Sequence, residues 1–419
     1  MAIHQRALAS NIVAPLLNKK VSVQIVASIT SDPKLGEPKQ MVGYLAPART
    51  TALISIISIK IGKVTYKTHL PLRLTTAEHL QALPGSVISC AGIIYSTPEK
   101  RVAGLFAEHG AITKIHGAKR IGRATGAIRA DFRAISQRVG GPSGALIPGL
   151  VLGDTSLESH AFVNDMLLAG LTHLTAVSGE NFAIIAAFVL WALQWVVPNL
   201  KARLFICALV LVGFIFLVRP SPSVLRATVM VSVLLIAKGR GVRSSALAAL
   251  GLAIALLILI DPFEATDPGF ALSVAATGGI LLLCDPVSDW LQRFIRHKRI
   301  AELLAISIAA NLICTPLTIA ISGQVSLMSL PSNFFVEPVV APITIVGFIA
   351  ALVAPFAPGF AYLLALMVKP FAAVIVWVAT NFAKVPVLHL SKGFAGGAIG
   401  TLVLVCGWIA LRWRSWGSL

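Results

Sequence analysis

Nine apolar runs constrain this chain more than any other feature. They are centred on residues 182–197, 204–218, 224–237, 246–260, 270–284, 303–321, 334–355, 359–378 and 396–411. The longer ones approach the roughly 20 residues a helix needs to cross a bilayer; the shorter ones leave room for re-entrant segments. Of 419 residues, 56% are hydrophobic and only 12% are charged, against about a quarter charged in ordinary soluble domains. The pattern predicts an α-helical polytopic membrane bundle of about nine segments over 142–419.

The first third of the chain differs. Residues 1–145 hold 19 Lys and Arg against 6 Asp and Glu, a net of +13, whereas 146–419 hold 16 against 11, a net of +5. Such asymmetry points to an anionic partner, and nucleic acid and lipid headgroups both qualify. β-rich segments at 21–29, 52–61, 64–75, 86–95 and 102–115 are punctuated by turn signals at Gly62-Lys63 and Pro84-Gly85. They fit a small all-β Greek-key barrel of OB type over 1–117, although the strand count also admits a small β-sandwich. Tyr44, Tyr66, Tyr95 and Phe106 are few for base stacking, so backbone electrostatics would dominate. The basic residues to meet a polyanion are Lys60, Lys63, Lys67, Arg73, Lys100, Arg101 and Lys114.

Between head and bundle, 118–141 contains "KRIGRATGAIRADFRAISQRV". Ile128, Phe132, Ile135 and Val139 share one helical face, with Arg123, Arg129, Arg133 and Arg138 projecting elsewhere. This predicts a basic amphipathic helix on a membrane surface, with a DNA-contacting helix as the alternative.

Orientation follows from the basic loops. Lys201/Arg203, "KGRGVR" at 238–243 and "RFIRHKR" at 293–299 are two crossings apart and share a side, the cytoplasm by the positive-inside rule. "RWR" at 412–414 falls there too, and the acidic "DPFEATDP" at 261–268 falls opposite. The head is then extracytoplasmic, the C-terminus cytoplasmic, and a polyanion outside the cell is the expected cargo. Cys90, Cys207, Cys284, Cys314 and Cys406 show neither a disulfide framework nor zinc spacing, and no signal-peptide pattern opens the chain. No P-loop is present, so ATP hydrolysis by that route is not expected.

Four ordered motifs carry a resemblance. "GLVLGDTSLESHAFVNDMLLAGLTHLTAVSGENFAI", "PSPSVLRATVMVSVLLIAKGRG", "DPFEATDPGFALSVAATGGILLL" and "VSLMSLPSNFFVEPVVAPI" resemble, in this order, segments of the ComEC competence-protein family. These are the DNA-internalisation channels of natural transformation. The resemblance implies a channel that takes up single-stranded DNA, embedded in membrane lipid. It also implies an extracytoplasmic DNA receptor and a cytoplasmic ATP-driven DNA translocase as partners. There are departures. Many relatives read Ser-Gly-Leu-His where this chain has Ser178-Gly179-Glu180-Asn181, leaving Asn181 as the nearest substitute for that His. Membrane helices before the β-domain and a metallo-β-lactamase-like C-terminal domain, with its H-x-H-x-D-H, are not found in these 419 residues. The chain reads as a short member or a piece of a longer one, and hydrolytic activity is not expected of it.

The polar stretch "LTHLTAVSGENF" at 171–182 fits a wet path through the bilayer, because a helix break at Ser178-Gly179 is tolerable only against a cavity. His173, Ser178, Gly179, Glu180, Asn181, Arg226 and Asn333 are the candidates for the DNA path. Alternatives remain for each. Arg226 and Lys369 have interfacial snorkelling as a second reading. Glu180 has pairing with an Arg or protonation. Asn181, Asn311 and Asn333 have interhelical hydrogen bonding. Asp154, His160, Asp165, His173 and Glu180 match no metal-ligand spacing, and no cofactor or catalytic residue is expected. The rival function is a secondary transporter for a small anionic solute, which leaves the basic β-domain unexplained. A membrane enzyme built on Ser178 and His173 has no further support.

Overall fold

A computed structural model describes residues 16–17, 19, 21–36, 39–41, 44–46, 48–78, 80, 82–97, 102–174, 179–219, 222–239, 245–390, 393 and 397–398. The ninth apolar run at 396–411 and the "RWR" tail lie essentially outside these residues. The chain divides into two units, Met1–Ala127 and Ile128–Leu419, each with its own apolar core.

In the first unit, alternation of apolar and polar residues produces the strands. β1 (Val23–Ile29), β5 (Thr50–Ile61), β7 (Pro71–Thr76), β8 (Val87–Tyr95) and β9 (Leu105–Glu108) bury every second side chain over most of their lengths, among them Ile25, Ile54, Leu72, Ile88 and Phe106. β1 pairs antiparallel with β5 and β5 with β7; β7 pairs parallel with β9, β9 antiparallel with β8, and β8 antiparallel with β1. The ring closes in the order β1-β5-β7-β9-β8, with a bulge in β1 between Val26 and Ala27. This is the five-stranded OB barrel, and closure removes the edges a sandwich would leave. Gly92 on β8 permits it, since a Cβ there would sit 2.3 Å from Ala107 O and 2.7 Å from the Phe106 ring.

Two of the expected segments are each two strands. The stretch 64–75 divides into β6 (Val64–Lys67) and β7, which begins at Pro71, a residue without the N–H to continue a ladder. The stretch 102–115 divides into β9 and β10 (Thr113–His116) across Gly110, whose φ is 126°. β6 forms a tight hairpin with β5 across Gly62, at φ 59°. Three short strands, β2 (Lys34–Leu35), β3 (Lys39–Met41) and β4 (Tyr44–Ala46), were not expected from the sequence.

α1 (Arg120–Val139) leads into the second unit, where its apolar face is covered by protein: Phe132, Ile135 and Val139 belong to the bundle core. Then follow α2 (Gly141–Leu152), α3 (His160–Leu168), a 3-10 turn (Thr172–Leu174), α4 (Gly179–Leu193), α5 (Leu200–Val218), α6 (Pro222–Gly239) and α7 (Ala246–Ile260). α8 (Pro268–Leu291), α9 (Lys298–Ser322), α10 (Ser329–Val353) and α11 (Pro358–Phe382) complete the bundle. The first eight apolar runs become α4–α11. α5, α8, α9, α10 and α11 are long and apolar enough to cross a membrane, whereas α2, α4 and α7 are shorter. α2 is an inner element, with Leu146, Ile147, Leu150, Val151 and Leu152 all buried, packed against α10 and α11.

Helix starts follow ordinary capping chemistry. Asn199, Ser245 and Asp267 accept backbone N–H bonds at the starts of α5, α7 and α8, and Asp261 does so for the turn before α8. Two of the three acids of the 261–268 loop are thus caps. A short antiparallel pair, β11 (Gln324–Ser326) with β12 (Val387–His389), joins the chain after α9 to the chain after α11.

Candidate functional site

The candidate site gathers where α4 begins. Gly179 is its first described residue, and a Cβ there would lie 3.0 Å from Arg226 Nη2 and 3.2 Å from Ala227 Cβ. The absent side chain lets α4 approach α6 with the guanidinium between them. Arg226 is 5% exposed, and its Nε and Nη1 have no hydrogen-bond partner. Among the described residues it forms no ion pair. The side chain is enclosed by protein, where an uncompensated charge costs several kcal/mol.

Asn181, also buried, donates through Nδ2 to Leu150 O at 2.9 Å and accepts at Oδ1 from Thr344 Oγ1 at 3.4 Å. It ties α4 to α2 and α10, the interhelical role open to it from sequence. Glu180 is exposed and close enough to Glu337 of α10 for their charges to interact. Asn333 is half-buried on α10, and His173 is exposed in the 3-10 turn. Ser178 lies outside the described residues. The structure thus sets Gly179 against Arg226 but joins none of Glu180, His173 and Asn333 to them through any described hydrogen bond.

Asn311 takes the interhelical role open to it from sequence, in a polar line between α9 and α10 whose other members, Ser307, Ser329 and Glu337, sequence reasoning missed. Ser307 Oγ donates to Glu337 Oε2 at 3.0 Å. Ser329 Oγ donates to Asn311 Oδ1 at 2.7 Å, and Asn311 Nδ2 donates to Ser307 O at 3.0 Å. Pro338 and Pro342 lie within α10, so carbonyls one turn earlier lose their helical donors. Glu337 directly before Pro338, inside an apolar run, was the available signal.

The Leu-Gly-Asp segment has a structural explanation. Gly153 ends α2 in the left-handed region, φ 67°, and its N–H and that of Asp154 close the last turn onto Gly149 O and Pro148 O. The turn delivers Asp154, 5% exposed, to Arg129 and Arg133. Arg129 is itself buried, with Nη1 donating to Leu152 O at 2.7 Å and Leu217 O at 3.0 Å. Burial alone would raise the Asp154 carboxyl; the Arg129 charge, the Ser156 side-chain hydrogen bond and Arg133 outweigh it and hold the carboxyl below its ordinary value. Two of the four arginines expected to point away from the packed face of α1 are thus internal ties. Arg138 lies over the Tyr362 ring at 5.1 Å, and Lys369 Nζ donates to Val139 O at 2.9 Å, closing the end of α1. Among the described residues no three His, Cys, Asp or Glu side chains converge as a metal site would require.

On the barrel, Lys60, Lys63 and Lys67 are exposed along the β5–β6 hairpin, and Lys114 is exposed on β10. The register sets Lys60 opposite Thr65 and Ser58 opposite Lys67, so Lys60 and Lys67 share a face. Arg73 is half-buried and engaged with its neighbours; Lys100 and Arg101 lie outside the described residues. Burial, with Glu108 adding to it, pushes the Cys90 thiol up to about 12. That removes it from thiolate chemistry.

A closed OB-type barrel carrying exposed lysines, in one chain with a bundle containing five helices fit to cross a bilayer, defines a multi-pass membrane protein with a basic β-domain. Residues 150–416 match the family described as Competence protein, and the chain belongs to that family. Over 196 residues it is 24% identical to ComE operon protein 3 of Bacillus subtilis (strain 168), covering 47% of this chain and 24% of that protein. The aligned part thus spans about a quarter of that curated relative's length. No solved structure matches.

Proposed function

We propose that this protein conducts single-stranded DNA across the cytoplasmic membrane during natural transformation, as a channel without bond-breaking chemistry. The observation that carries the reading is the pairing, in one chain, of a basic OB barrel with a competence-family bundle. OB barrels suit single strands because a groove of cations tracks the phosphates without reading bases. Lys60, Lys63, Lys67 and Lys114 supply exposed cations for that task. In this reading the basic loops face the cytoplasm, the barrel faces outward, and the strand passes the start of α4. Driving force comes from partners: a DNA receptor outside and an ATP-driven translocase inside.

The experiment is a transformation assay in a strain deleted for the gene and complemented with this chain. Restored transformation, with strand uptake abolished by Gly179→Leu in well-inserted protein, supports the proposal. Flux of a small anion with no effect on DNA uptake would replace it with the solute transporter.

A further inference from the structure

The β5–β6 hairpin has two unlike faces. In an antiparallel pair, residues directly opposite each other point the same way. Ser58 stands opposite Lys67 and Lys60 opposite Thr65, which makes one face polar and cationic. Ile59 stands opposite Tyr66 and Ile61 opposite Val64, which makes the other face apolar. Ile59 is buried in the barrel core, but the cover ends further out along the hairpin: Val64 is 52% exposed and Tyr66 38%. Lys63, in the turn that joins the two strands, is exposed as well. From residue 38 to residue 77 the sequence has six Lys or Arg and neither Asp nor Glu.

Three kinds of occupant compete for the apolar face. Stacked bases need flat aromatic rings, and here Tyr66 stands alone beside the aliphatic Ile61 and Val64. A second copy would set one acid-free cationic segment against another across three apolar side chains, where a stable interface buries roughly 1,000 Å² or more. A lipid surface suits every part: the aliphatic side chains enter the acyl boundary, the Tyr ring sits at headgroup depth, and Lys63 meets anionic phosphates. Such a surface is also at hand. Residues 117–119 alone separate β10 from α1, whose far end belongs to the bundle core, so the barrel is tethered beside the bilayer its own chain crosses.

We propose that the apolar face of the β5–β6 hairpin, with Lys63 at its tip, docks on the anionic phospholipid surface of the membrane that the bundle spans. Lys60 and Lys67, on the opposite face, stay turned to water. The docking stands on the geometry of the hairpin and does not depend on the DNA reading, which would take those two outward lysines.

The test uses the full chain, one copy per lipid nanodisc, with the native cysteines replaced by Ala and a polarity-sensitive fluorophore on one introduced cysteine. Discs hold phosphatidylcholine alone or mixed with phosphatidylglycerol, with and without doxyl-labelled lipid. In anionic discs the fluorophore on Val64→Cys should shift to the blue and be quenched by doxyl lipid. On Thr65→Cys, one residue along and on the cationic face, it should stay open to quenching by aqueous iodide. Lys63→Gln should lower the docking equilibrium at residue 64 about fivefold, and omission of phosphatidylglycerol should lower it further. Tyr66→Glu, exposed and outside the barrel core, should abolish lipid quenching at residue 64 while the barrel stays folded.

A fluorophore at residue 64 that stays aqueous in anionic discs would overturn the proposal, as would equal lipid quenching at residues 64 and 65. Shielding that appears only when oligothymidylate is added makes this a strand surface; shielding only in discs holding two copies makes it a contact between copies. Either result overturns lipid docking. Loss of oligothymidylate binding with lipid quenching intact would leave the docking standing and count against the DNA reading alone.

Discussion

Arg133 holds Asp154 through two nitrogens on one oxygen, Nε at 2.9 Å and Nη2 beside it, both on Oδ2. Arg129 approaches the same oxygen from inside the bundle at 4.0 Å while bonding the carbonyls that end α2 and α5. Asp154→Ala should therefore be far worse than Arg133→Ala. The first leaves Arg129 charged and buried, at about 3–5 kcal/mol. The second removes a partner that is 35% exposed and leaves Arg129 in place, at about 1 kcal/mol. Unfolding of both variants in mixed micelles measures the difference; equal losses would show that Arg129 does not depend on Asp154.

The same carboxyl sets an acid limit. Its value in the folded protein is below the ordinary one, so its contribution to stability is complete above the unfolded value of about 4. That contribution is lost as pH falls through the folded value. Below about pH 4 the thermal midpoint of wild type should drop more steeply than that of Asp154→Asn, which has no proton to take up at this site. Parallel curves would exclude the ion pair as the titrating element.

Gly92→Ala should break the barrel and spare the bundle. The new methyl would overlap Ala107 O and the Phe106 ring, backbone and core atoms that cannot move away cheaply. Overpacking of this kind costs about 1–3 kcal/mol or more. Hydrogen exchange should rise across β8 and β9 while α10 and α11 stay protected.

Charge on the β5–β6 hairpin should appear as a salt slope. For single strands, log affinity falls with log salt at about −0.7 per phosphate neutralised. Replacing Lys60, Lys63 and Lys67 with Gln should flatten the slope for oligothymidylate by about 2 if each meets one phosphate. An unchanged slope would move the DNA contact off this hairpin.

Orientation is open to labelling. Cysteines placed at Lys63, on the exposed hairpin, and at His297, exposed between α8 and α9, should react differently with an impermeant maleimide in intact cells. Lys63→Cys should label and His297→Cys should not. The reverse would put the barrel in the cytoplasm.

Much of the architecture was legible because it rests on local periodicity. The apolar runs became α4–α11, and alternation found the barrel strands wherever a Pro or a Gly did not divide them. α2 was not legible as a helix of its own: "GPSGALIPGLVL" carries two Pro and three Gly and is buried on nearly every side. The site was legible in part. Gly179 lies against Arg226, two residues singled out in the sequence, while Asn181 is engaged by Leu150 O and Thr344. Arg129 and Arg133 were read as surface cations because their partner lies more than twenty residues on. No helical spacing announces such a pairing.

The pairing of β11 with β12 carries a topological consequence. Ser326 lies opposite Val387, and Gln324 opposite His389, across hydrogen bonds that span only the width between two strands. Everything from 327 to 386 is therefore an excursion that returns to its origin, and the number of times it traverses the bilayer must be even. α10 and α11 fill that excursion, so they go out and back as a pair whatever the charges in their connecting turn. Any scheme that makes one of them a crossing and the other a surface helix would tear the two strands to opposite faces of the membrane.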